Sequence, residues 1–67
     1  MFNRNKLKGR IIEAGYTIEQ LAVLIGVNPA TFYRKMAQSS EFTRNEILAI
    51  KTVLNLTNEE MTDIFFA

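Results

Sequence analysis

Apolar residues recur three and four positions apart along most of the chain, and apolar–polar alternation is nowhere sustained. Spacing of this kind is typical of amphipathic α-helices rather than of half-buried strands. The pattern predicts an all-α protein, a compact bundle of five short helices. Because no repeat, linker or low-complexity tract interrupts it, we expect a single domain over residues 1–67.

Residues that favour helix ends mark the limits of the predicted helices. The first is expected from about Arg4 to Ala14, with Asn3 as its N-cap and Gly15 in the left-handed position that ends it. Asn28 before Pro29 indicates the start of the third helix, because a proline at the first helical position loses no hydrogen bond.

Capping boxes, a threonine followed three residues later by glutamine or glutamate, predict the starts of the other helices. Gly26 is expected to end the second helix, and Asn55 to end the fourth in the left-handed conformation. The three boxes are Thr17 with Gln20, Thr43 with Glu46, and Thr57 with Glu60.

The composition suits a small domain with a dense apolar core. Of the 67 residues, 48% are hydrophobic. A chain of this size buries only about 60% of the surface that its unfolded form exposes, so the core must be densely apolar. We expect the core to include Leu7, Ile11, Leu24, Ile47, Ile50 and Val53.

The sequence has neither cysteine nor histidine. It therefore lacks disulfides, thiolate metal ligands and the commonest general base. The carboxylates lie mainly in helix caps and there is no glycine-rich phosphate loop, so we expect no enzyme, no cofactor and no metal. No signal-peptide pattern follows the charged N-terminus, and no run approaches the roughly 20 apolar residues that a bilayer requires. We expect a cytoplasmic protein.

The net charge is only +1, but the two parts of the chain differ in sign. Residues 1–44 carry seven Lys and Arg against three Glu, or +4, and residues 45–67 carry one Lys against four acids, or −3. This asymmetry is consistent with an amino-terminal part that faces a polyanion. The first helix spreads four cations around its axis, so we expect at least two to be merely solvated: Arg4, Lys6, Lys8 and Arg10.

Residues 17–36 read TIEQLAVLIGVNPATFYRKM, and several of these positions have a steric role. Two helices that meet at about 90–120° across a short turn need a small residue where they approach, which Ala22 provides. The turn needs a positive φ, which Gly26 tolerates. Val27 and Phe32 are expected to fill the wedge between the two helices.

This stretch resembles the helix-turn-helix of the lambda-repressor-like family, the Cro-type or XRE regulators, whose pattern is Leu-Ala-x-x-x-Gly-Val-x-x-x-Thr-aromatic/aliphatic. The resemblance implies a phage- or bacterial-type transcriptional regulator, such as a repressor, that binds double-stranded DNA sequence-specifically with helix 29–38 in the major groove. The chain departs from the family at Ile18, where a phosphate-directed glutamine is common, and at Lys35, which is usually apolar. We expect the Lys35 stem to cover core while its ammonium faces outward.

The outward face of the third helix provides the candidates for reading bases. With Phe32 inward, steps of 100° per residue place Ala30 and Arg34 outward. An arginine bidentate to guanine O6 and N7 is the commonest specific contact, and a phosphate contact or plain solvation is the alternative. Tyr33 either contacts DNA or packs against the fourth helix. The full base-reading set is Pro29, Ala30, Thr31, Tyr33 and Arg34.

Phosphate contacts are expected from free N–H groups at the starts of the second and third helices and from nearby side chains. Gln20 or Thr17 would replace the glutamine missing at position 18, and Lys35 and Arg44 would add charge. The full phosphate set is Thr17, Gln20, Asn28, Lys35, Gln38 and Arg44.

The C-terminal residues 61–67 read MTDIFFA. Phe65 and Phe66 are 100° apart on a helix and cannot both face one core, so this end is a candidate homodimer surface. The alternatives are that one phenylalanine covers the first helix or Phe2, or that dimers form only on DNA. The competing function is a helical protein-interaction module that binds another regulator through this apolar end.

Overall fold

The structure, a computed structural model, describes residues 2–37 and 42–66. Within these two ranges the chain forms five helices and no strand, in a globule of 26 × 24 × 20 Å. The helices are α1 (Arg4–Glu13), α2 (Ile18–Leu24), α3 (Pro29–Ala37), α4 (Arg44–Leu54) and α5 (Asn58–Phe65). The predicted all-α class with five short helices is confirmed.

The predicted helix caps are formed. All three capping boxes are reciprocal, with hydrogen bonds of 2.8–3.2 Å between the threonine and the residue three positions later. Asn3 Oδ1 accepts from the Lys6 N–H at 3.1 Å. Gly15, Gly26 and Asn55 have φ angles of +87°, +79° and +54°, so each takes the left-handed conformation that ends its helix.

The third helix begins as predicted. Asn28 Oδ1 accepts from the backbone N–H of Ala30 at 2.9 Å, and Pro29 is the first helical residue. The described helix ends at Ala37. The predicted last residue, Gln38, lies outside the described residues.

Eleven side chains form the buried core of the described residues. They come from all five helices and the α4–α5 turn, so every helix contributes to one core: Leu7, Ile11, Leu21, Ala22, Phe32, Met36, Ile50, Leu54, Leu56, Ile64 and Phe65. Partly buried residues, among them Ile47 and Val53, pack against it.

The expectation that Leu24 belongs to this core is wrong, because its side chain is 55% exposed. The inward stripe of α2 consists of Ile18, Leu21, Ala22 and Ile25, with the two central residues fully buried. At 100° per residue, Leu24 is turned by more than a right angle from the middle of that stripe. Val23, at 67% exposure, is turned even further away.

Aromatic rings close the core where α3, α4 and both chain ends meet. The Phe42 ring lies 5.5 Å from those of Phe2 and Phe32 and 5.7 Å from that of Phe65. In addition, the Asn3 N–H donates to the carbonyl of Ile64 at 2.6 Å. The start of α1 is therefore joined to the end of α5.

Three ion pairs connect the helices within the described residues. Lys6 pairs with Asp63 and Arg10 with Glu60, which joins α1 to α5. The third pair, between α3 and α4, involves a residue of the candidate site. The carboxylates of the acidic C-terminal part therefore neutralise cations on the amino-terminal helices.

Candidate nucleic-acid interface

Helices α2 and α3 pack against each other across the turn formed by residues 25–28. The Val27 N–H donates to the Ala22 carbonyl at 2.9 Å, and Gly26 supplies the positive φ. Ala22 and Phe32 are fully buried, and Val27 packs against the core at partial exposure. The residues predicted to fill the space between the two helices therefore have the expected burial.

The opposite face of α3 is open to solvent. Phe32 and Met36 point into the core, whereas Ala30, Arg34 and Ala37 are exposed. Pro29 and Thr31, which also belong to the predicted base-reading set, are half-buried at the flanks of this face. The exposed face thus carries a methyl group near its amino end and a guanidinium one turn later.

Tyr33, also exposed, lies at the edge of this face. The Glu19 carboxylate raises the pKa of the Tyr33 hydroxyl, chiefly by hydrogen bonding and to a lesser degree by desolvation and charge. The single O–H of the phenol is therefore directed toward Glu19, and its oxygen keeps the capacity to accept a hydrogen bond. The ring lines a groove whose other walls are α1 and the start of α2, so packing against α4 is not its environment.

The polar residues predicted to hold phosphate at the helix starts are exposed but already hydrogen-bonded. Gln20 Oε1 accepts from the Thr17 N–H at 2.8 Å, and the Asn28 side chain oxygen accepts from the backbone of α3. The amide N–H groups of both side chains are the donors that these bonds leave for another acceptor.

Lys35 contradicts the expectation of an outward-facing ammonium. Its Nζ lies 2.6 and 2.7 Å from the two carboxylate oxygens of Glu46, and its side chain is only 12% exposed. The side chain leaves α3 on the flank that faces α4, where the glutamate of the α4 capping box meets it. The Lys35 ammonium is therefore held by Glu46, which corrects the expectation that it contacts phosphate.

The same contact perturbs Glu46. Burial opposes ionisation of its carboxyl, but the hydrogen bond from Lys35 and the one from the Thr43 backbone outweigh it and hold the pKa below its usual value. The capping box of α4 thus anchors the end of α3 as well as the start of α4.

Arg44, the first residue of α4, is exposed. It borders an apolar groove of about 480 Å³ between α4 and α5, lined by Phe42, Ile47, Leu48, Met61 and Phe66. Two of these side chains are prominently exposed, Leu48 at 45% and Phe66 at 61%. Phe65 is buried, so the prediction that the two adjacent phenylalanines differ in environment is confirmed.

Two cations that sequence reasoning did not single out border the α3 face. Arg4 and Lys8 line the same groove as Tyr33 and Ala37. A signal for them exists in the sequence: they are four residues apart, hence on one side of α1, next to the stripe formed by Leu7 and Ile11.

Residues 2–37 and 42–66 contain no group of three acidic, histidine or cysteine residues arranged to hold a metal ion. Likewise, none of the helices described has the length and apolar character required to cross a membrane. No protein-family model matches the chain, and no curated protein or solved structure matches it.

Proposed function

We propose that the protein is a sequence-specific double-stranded-DNA-binding regulator that acts in the cytoplasm, with α2 and α3 as its helix-turn-helix. The observation that carries the proposal is the division of α3 into two faces. Phe32 and Met36 are buried, while Ala30, Arg34 and Ala37 face solvent. A helix held by one face and free along the other is what insertion into a major groove requires.

The chemistry of the free face fits base recognition. Ala30 has the size to approach a thymine methyl, and Arg34 is exposed one turn later with a guanidinium that matches guanine O6 and N7. A bidentate contact of this kind is worth about 1–3 kcal/mol of discrimination between bases. Tyr33 is exposed at the edge of the same face.

Selection from a random duplex library, followed by titration at several salt concentrations, tests the proposal. We expect a recovered consensus and an affinity that falls steeply with salt, since each neutralised phosphate contributes about −0.9 to the log–log slope. Absence of binding up to high micromolar protein at low salt would contradict the function.

Arg34→Lys tests the reading role directly, because lysine keeps the charge but lacks the bidentate geometry. We expect the preference at one base pair to flatten while binding to random duplex and the melting temperature stay close to those of the wild type. Lys51→Arg, a charge-preserving exchange on α4, serves as the matched control. An unchanged consensus in Arg34→Lys would remove Arg34 from base readout.

The α4–α5 groove favours a second element of the proposal, a contact with a second copy of this chain. Exposed Leu48 and Phe66 line this apolar groove, so two copies related by a two-fold axis would cover the same patch on each other. A homodimer would place two α3 helices on half-sites about one DNA turn apart.

Light scattering of the wild type and of Phe66→Ala, free and with a selected duplex, tests this contact. We expect two protein chains per duplex, and loss of the second chain in the variant. A monomer under all conditions would exclude the homodimer. If DNA binding is also absent, a module that binds another regulator through this groove becomes the better account.

A further inference from the structure

Helix α1 carries its four cations in two pairs that face different surroundings. Lys6 and Arg10 lie on the flank toward α5, where Asp63 and Glu60 pair with them. Arg4 and Lys8 lie on the other flank, and no ion pair within the described residues involves them. Both are exposed. The helix therefore has one neutralised flank and one positively charged flank.

The charged flank faces the same opening as the free face of α3. Arg4 and Lys8 form one wall of a groove of about 310 Å³, and Tyr33 and Ala37 of α3 form another, with Ile18 of α2 between them. None of the described residues that line this groove is acidic. A ligand that meets the outer face of α3 at this edge therefore also meets two cations.

We infer that Arg4 and Lys8 hold the sugar–phosphate backbone that borders the major groove entered by α3. This site rests on the proposed function and assigns α1 a part in it. A major groove is about 12 Å wide and has a phosphate backbone on each side, so an element that flanks the inserted helix meets one of them. Arg4 and Lys8 supply the charge for that strand.

Contacts of this kind fix the position of a protein on DNA without reading its sequence. We therefore expect Arg4 and Lys8 to strengthen binding to every duplex by a similar factor. Arg34 would then discriminate between DNA sequences. The α1 contacts would help to fix the position of α3 on the DNA.

The chain itself offers a matched pair of variants. Arg4→Gln/Lys8→Gln and Lys6→Gln/Arg10→Gln each remove one arginine and one lysine from α1, so they change the net charge of the protein equally. Affinity for a random duplex is measured by fluorescence anisotropy over a range of salt concentrations. Two lost phosphate contacts should reduce the magnitude of the log–log slope by about 1.8 in the first variant, whereas the slope of the second should stay close to that of the wild type.

Thermal melting separates folding from binding in both variants. Arg4→Gln/Lys8→Gln should melt like the wild type, and Lys6→Gln/Arg10→Gln somewhat lower because it breaks two ion pairs. These pairs are partly exposed and such pairs contribute little to stability, so we expect the second variant to fold. Should it unfold, the single variants Lys6→Gln and Lys8→Gln provide the same comparison.

The results distinguish the α1 site from the proposed function. If the wild type does not bind duplex DNA, the proposed function fails and the site fails with it. If the wild type binds and the two double variants have the same slope, the α1 site is wrong while DNA binding through α3 stands. If Arg4→Gln/Lys8→Gln weakens only the selected duplex and not the random one, the two residues read sequence, and their assignment to the backbone is overturned.

Discussion

The starts of α2, α4 and α5 are built from the same capping box but differ in the charge of its last residue, three positions after the threonine. In α4 and α5 that residue is glutamate, and its carboxylate also pairs with a cation of a neighbouring helix, Lys35 for Glu46 and Arg10 for Glu60. In α2 it is Gln20, which is neutral. The box therefore caps a helix in all three cases. Where its last residue is glutamate, it also binds a neighbouring helix through an ion pair.

The location of the boxes explains the difference. The two charged boxes lie where helices must be held together, between α3 and α4 and between α1 and α5. The neutral box lies at the start of α2, the first helix of the proposed helix-turn-helix. The single acid in the first turn of α2, Glu19, raises the pKa of the Tyr33 hydroxyl. This comparison predicts that charge changes at the boxes affect stability in one region and binding in the other.

The largest expected effect comes from the core that both regions share. Phe32 is fully buried and its ring meets that of Phe42, so Phe32→Ala should cost about 3–5 kcal/mol, a large part of the stability of so small a domain. Urea unfolding followed by circular dichroism measures this loss. Phe66→Ala, at an exposed site, is the matched control and should change little. Survival of one region in Phe32→Ala would show that the two do not share a single core.

The next largest effect on stability is expected from Glu46→Gln. Glutamine can still accept the Thr43 N–H, so the box is kept, but the largely buried Lys35 ammonium loses its carboxylate. Hydrogen bonds to charged groups contribute about 1.5–3 kcal/mol, and we expect a loss of this order in the same unfolding assay. Glu60→Gln removes a more exposed partner and should cost less. An equal or larger loss in Glu60→Gln would mean that burial does not set the strength of these contacts.

The two charged boxes also predict how stability depends on pH. Glu60 has a lowered pKa because of the Thr57 N–H, against some desolvation and with help from Arg10, and that of Glu46 is lowered too. Carboxyl groups with a depressed folded-state pKa stabilise above the unfolded pKa of about 4.3, and this contribution disappears as the pH falls through the folded value.

We therefore expect stability to decrease below about pH 5, where the unfolded carboxyl groups begin to bind protons. Glu46→Gln/Glu60→Gln should decrease less steeply over the same interval in urea titrations at successive pH values. A wild type and a double variant with parallel pH profiles would show that other carboxyl groups govern acid unfolding.

The helix limits and caps were predictable because they depend on residues close together in the chain. The Asn28–Pro29 start, the three boxes and the left-handed Gly15, Gly26 and Asn55 all follow from local geometry. The buried and exposed faces of α3 were predictable for a similar reason, since one inward residue fixes the rest of a helix.

The expectations that were wrong concern residues whose environment depends on neighbours that are distant in sequence. Leu24 was expected in the core because it is apolar, yet α2 is short and its other apolar residues already fill the inward stripe. Lys35 was expected to face outward because the spacing of residues on α3 does not show that Glu46, in the first turn of α4, lies next to it. For the same reason, sequence could not tell which two of the α1 cations Asp63 and Glu60 would neutralise.

The smallest expected change in stability is that of Gln20→Glu, which gives α2 the charged box of its neighbours. A carboxylate near the positive end of a helix contributes about 0.3–1 kcal/mol, so the melting temperature should rise slightly. Duplex binding should weaken several-fold, because under the proposed function the new charge would face phosphates. Asn58→Glu adds the same charge to the first turn of α5, away from the α3 face. If both variants bind duplex DNA equally, the start of α2 does not lie near the DNA, and its neutral glutamine requires another explanation.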